Sequence, residues 1–167
     1  MNKQLVEIIQ EQTKIFLFNV NTTIQTCDVN FDLNGVPNWK QLYHALHSLD
    51  MWFINPERYI EPSFHESNLN SMFIKGEKAL SKQELLNYFE TVKTKIQQYL
   101  STLTDDMLSE SPDNCKYTRL ALILGQYRHL YSHIGILNCT TIIQTNRWPR
   151  IVGLDGDFSK DLYEMGR

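Results

Sequence analysis

The sequence has no surplus of positive charge. Its 16 Lys and Arg stand against 19 Asp and Glu, for a formal net charge of -3. A polyanion binder needs clustered cations, so no nucleic-acid partner is expected. There is no apolar run of transmembrane length either. The greasiest stretch, about 120 to 143, is broken by Arg128, His129 and His133, so no membrane association is expected. The opening M-N-K-Q-L-V-E-I-I-Q-E-Q mixes charged and amide residues into its apolar positions. It lacks the uninterrupted core of a signal peptide. Cysteine is scarce: Cys27, Cys115 and Cys139 are odd in number and widely spaced, with no C-x-x-C pair. That excludes a disulfide framework and leaves three reduced thiols in a cytoplasmic protein as the expectation. Internal repeats and low-complexity segments are absent as well.

What is present is ordinary for a globular domain: 42% hydrophobic and 21% charged residues over a length of 167. One domain spanning 1–167 can bury a substantial core at that size. Four helical patterns stand out. The first covers roughly 3 to 25, where Leu5, Ile8, Ile9, Ile15, Phe16 and Phe18 recur at helical spacing. After the breakers of N-F-D-L-N-G-V-P-N, a second helix is expected from Asn38 as N-cap to Asn55-Pro56. Residues 55 to 80 read as a long connection carrying Pro56, Pro62 and Gly76, with a short helix near 66 to 74. Ser81 followed by Glu84 is a capping box that starts the third helix. The fourth runs roughly 116 to 145 and is ended by Trp148-Pro149, leaving an irregular tail of about 150–167. Four helices with one long crossover point to an all-α four-helix bundle. A crossover of that length lets the second and third helices run parallel.

The chemistry lies in the histidines. A helix turns about 100° per residue. On the second helix, Leu42, Ala45, Leu46, Leu49, Trp52 and Phe53 form one apolar arc, while His47 lies opposite its centre beside Tyr43, His44, Asp50, Met51 and Ile54. On the fourth, Leu120, Ile123, Leu124, Tyr127, Leu130, Tyr131, Ile134 and Leu137 form the core face. His129 and His133 stand away from it, near Leu122, Gln126 and Ile136. A stripe of small residues, Ala121, Gly125, Ser132, Gly135 and Cys139, would admit another helix closely. An i, i+4 pair of imidazoles can reach one ion. Neutral imidazole nitrogen suits zinc, nickel, copper or iron(II). A third ligand must come from elsewhere, with His47 and His44 as candidates. On its own, H-x-x-x-H is a weak signal, more often packed or solvated histidine than ligand. His65, in P-S-F-H-E, reads as a loop residue.

Two motifs in order raise that signal. W-K-Q-L-Y-H-A-L-H-S-L-D, with Trp39 eight residues before His47, and R-H-L-Y-S-H-I-G-I-L-N on the fourth helix resemble the DinB-like (DinB/YfiT-like) superfamily over about residues 1 to 150. The resemblance implies an up-down-down-up bundle with a three-histidine site for a divalent metal, usually nickel or zinc. Carried over, the ligands are His47, His129 and His133. Tyr43, His44, Asp50, Met51 and Gln126 would line the pocket or support the ligands. It further implies a homodimer and a small-molecule substrate, with a low-molecular-weight thiol as one candidate. The reaction expected is metal-dependent group transfer or hydrolysis. The competing expectation is a non-enzymatic metal- or ligand-binding helical bundle, with a stress-related role.

Overall fold

The computed structural model describes residues 3–74, 78–154 and 156–164. Gly76, expected to break the crossover, lies outside them, as does part of the tail. The described chain is mostly helical, with one two-stranded hairpin. Helix α1 spans Gln4–Thr26; strands β1 and β2, Asp32–Leu33 and Val36–Pro37, pair antiparallel around Asn34-Gly35; α2 spans Asn38–Trp52. Both turn residues have positive φ, which Asn and Gly adopt at little cost. A 3-10 turn at Pro56–Arg58 follows, then α3 (Lys82–Thr102), the short α4 (Asp105–Ser109) and α5 (Arg119–Thr145).

Helix α1 packs on α3 and α5, and α2 packs on α5 and α3. The shared core holds Phe16, Leu46, Leu49, Phe53, Phe89 and Ile123, each at most 1% exposed. Burying side chains of this size contributes about 1.5–3 kcal/mol apiece. No helix among the described residues is long and apolar enough to cross a membrane.

The boundaries follow local chemistry. Ser81 accepts from the Glu84 amide, and the Glu84 carboxylate accepts from the Ser81 amide, completing the capping box. Asn38 is not the N-cap of α2 but its first residue. Its buried side-chain amide donates instead to Asp28 O and Thr140 Oγ1, tying α2 to the preceding loop and to α5. At the other end α2 stops at Trp52, before Asn55-Pro56, and Asn55 caps the 3-10 turn by accepting from the Glu57 amide. Helix α5 ends on Asn146 in a left-handed conformation, before Trp148. No helix forms at 66 to 74; successive turns occupy the segment, with Leu69 N donating to Glu66 O and Ser71 N to Asn68 O. Asn68 at positive φ breaks any helical run there. The tail packs in extended form: Val152 exchanges both backbone hydrogen bonds with the buried Asn19 amide of α1. All three cysteines are free thiols.

The apolar circumference of α5 is not all covered. Leu130, Ile134 and Leu137 are buried, while Leu124 and Tyr131 are more than 40% exposed. Ala121, Ser132, Gly135 and Cys139 of the small-residue stripe are exposed.

Candidate metal centre

His129 and His133 sit one helical turn apart on α5, so their rings meet on one face. Their Nε2 atoms are 3.2 Å apart and their ring centroids 4.8 Å. Across from them on α2 stands His44, with its ring centroid 5.3 Å from that of His129 and 5.1 Å from that of His133. One nitrogen from each of the three lies within 4.8 Å of the others, close enough for one ion to gather them. The extensive packing of α2 on α5 fixes this approach.

The tautomer of His44 is set. Its Nδ1 lies 2.8 Å from the Asn70 carbonyl, which can only accept, so Nδ1 carries the proton and Nε2 the lone pair. On His129 and His133 the Nδ1 atoms are buried with no hydrogen-bond partner among the described residues, and each Nε2 faces only the other imidazole. Among the described residues, no carboxylate or backbone group is hydrogen-bonded to these nitrogens.

Burial also sets the charge. It pushes the His133 imidazole down to about 4, with the neighbouring His129 and His44 rings adding to the effect. Burial, then His44, lowers His129 in the same direction. Three protonated rings this close would repel in a poorly solvated space. At neutral pH the His129 and His133 rings are therefore uncharged, the state a divalent metal requires of a histidine ligand. Donor identity and approach, with the neutral rings of His129 and His133, fit a divalent metal ion.

His47, the third ligand expected from the second-helix motif, does not converge with His129 and His133. It is buried on α2 and forms a separate group with Glu61 and His65. Its Nε2 is 2.7 Å from Glu61 Oε2, and its Nδ1 is 3.5 Å from Asn70 Nδ2. Of the expected pocket residues, His44 joins His129 and His133, while the other four make their contacts elsewhere. Tyr43 hydrogen-bonds His65 Nδ1 at 2.6 Å. Asp50 pairs with Lys95 of α3 at 2.8 Å and accepts from Tyr88 at 3.0 Å. Gln126 accepts from Ser48 at 3.3 Å, and Met51 is half-buried on α2.

Sequence reasoning missed Glu61, Tyr59 and Asn70, and set His65 aside as a loop residue. All four reach α2 from the crossover. The spacing Tyr59-x-Glu61-x-x-x-His65, acid and imidazole four apart beside prolines, was the available signal. No family model, curated protein or solved structure matches this chain.

Proposed function

We propose that this chain is a divalent-metal protein whose ligands are His44, His129 and His133, in a four-helix bundle of the DinB-like type. The observation that carries the reading is the convergence of three imidazoles from two helices, with the Nδ1 atoms of His129 and His133 free of hydrogen-bond partners among the described residues and their Nε2 atoms facing each other. Three protein ligands leave a coordination position for water or substrate, the pattern of a catalytic rather than a structural site. Such a metal, when bound, lowers the pKa of a coordinated water or thiol and polarises a substrate oxygen. The chain's own contributions are specific. His44 offers Nε2 because Asn70 holds its Nδ1 proton. His129 and His133 offer neutral rings because burial disfavours their cations. Nickel or zinc is the expected ion. Thiol-dependent group transfer or hydrolysis on a small molecule, in the cytoplasm, is the expected reaction. The exposed small-residue stripe of α5 is the surface on which a homodimer would form.

The family resemblance assigns the α2 ligand to His47, whereas the geometry favours His44, and metal titration separates the two. Full-length protein purified without chelator should carry near-stoichiometric zinc or nickel by elemental analysis. His44→Gln and His129→Ala should each weaken zinc binding at this centre by more than the about 10- to 100-fold that loss of a supporting partner costs. Protein that takes up no divalent metal, or variants that bind as well as the parent, would refute the reading. Stoichiometric metal without turnover of any thiol or ester probe would favour a non-enzymatic metal-binding role.

A further inference from the structure

A second group of ligand-type side chains, one on α2 and two on the crossover, shares no residue with the first. His47 Nε2 is 2.7 Å from Glu61 Oε2, and the same carboxylate oxygen is 3.7 Å from His65 Nδ1. One donor atom from each of the three falls within 4.8 Å of the others. The rings of His47 and His65 stand 4.9 Å apart by centroid. Two elements supply the set: α2 gives His47, only 3% exposed, and the crossover gives Glu61 and His65.

We propose that His47, Glu61 and His65 form a second divalent-cation site, of the two-histidine, one-carboxylate kind, at the edge of the cleft between the crossover and α3. This donor set is that of catalytic zinc sites with an open position and of non-haem iron(II) sites. Each candidate ligand has a neighbour that orients it, as metal ligands do. The buried Tyr43 hydroxyl holds His65 Nδ1 at 2.6 Å; Tyr59 OH donates to Glu61 Oε2 at 3.2 Å; the Asn70 side chain stands 3.5 Å from His47 Nδ1. Glu61 also lines a cleft of about 600 Å³ with Ile60, Phe64, Tyr88 and Lys95. A cation on Glu61 therefore sits beside space for a small molecule. Cation entry replaces the hydrogen bond between His47 and Glu61. The neutral His47 ring keeps its single proton, now on Nδ1, and turns its Nε2 lone pair onto the ion beside the Glu61 carboxylate, with no net proton release and no redox change. Asn70 joins the centres, its carbonyl held by His44 and its side chain beside His47.

The test is zinc titration of the EDTA-stripped full chain by isothermal calorimetry and equilibrium dialysis. The parent should take two equivalents, while Glu61→Gln and His65→Asn should each take one. Glu61 is half-exposed and Gln is isosteric, so Glu61→Gln keeps the fold, and circular dichroism checks both variants. His129→Ala should lose the other equivalent. If His129→Ala loses nothing while Glu61→Gln loses one, the first centre fails and this one stands. The proposal is overturned if Glu61→Gln and His65→Asn bind as much zinc as the parent, or if the parent binds two equivalents and either folded variant loses both. In the first case the trio is a hydrogen-bonded cluster only; in the second it is not a separate site.

Discussion

The burial that keeps the His133 imidazole neutral should be measurable as a pH-dependent stability of the EDTA-treated protein. Its folded pKa is depressed to about 4, against about 6.5 for an unfolded histidine. Between those values the unfolded chain holds a proton that the folded chain refuses. Stability is therefore fully present above about 6.5 and is lost as pH falls toward 4. Each unit of that window is worth about 1.4 kcal/mol, so lowering the pH to 5 costs about 2 kcal/mol through this residue. His129 adds loss in the same direction. For a chain of this length that is a fall in Tm of about 4–8 °C. The assay is urea denaturation of EDTA-treated parent and His133→Gln at pH 7 and pH 5. The parent should lose about 2 kcal/mol more than the variant on acidification. Equal losses would show that His133 is not held neutral by its surroundings. The claim that these rings stand ready for a metal at neutral pH would go with it.

Other consequences are structural. Ser81→Ala removes the α3 cap and should cost about 1 kcal/mol, read as a Tm about 2–4 °C lower; an unchanged Tm would deny the capping box its role. Lys95→Met leaves the nearly buried Asp50 carboxylate with only the Tyr88 hydroxyl. Half of Lys95 is solvated, so the expected loss in urea denaturation is modest, about 1–2 kcal/mol. Asn19→Leu strands the amide and carbonyl of Val152 and should free the C-terminal tail, making it the first segment cut in limited proteolysis. A tail as resistant as the parent's would contradict that anchoring.

The helical architecture was legible because its signals are local. The capping box at Ser81 and Glu84 and the 3.6-residue periodicity need only near neighbours in the chain, and the helices begin and end within a few residues of where those signals lie. The site was only half legible. His129 and His133 are bound to meet because one helical turn separates them. The choice between His44 and His47 depends on which side of α2 faces α5. The two differ by about 60° around the helix axis, and spacing alone does not resolve that. Their crossover partners were still less accessible. Glu61 and His65 meet His47 from a non-helical stretch of the crossover, where the turn from Pro62 to His65, not a helical period, sets their positions. The expected helix at 66 to 74 failed for the same reason: positive φ at Asn68 and turn hydrogen bonding outweighed a weak helical pattern.

The most direct test is a crystal structure of the zinc-loaded protein with anomalous data at the zinc edge. The prediction is an ion about 2.0–2.1 Å from one nitrogen each of His44, His129 and His133. An ion on His129 and His133 completed by His47, or no anomalous peak at these rings at full zinc loading, would contradict it.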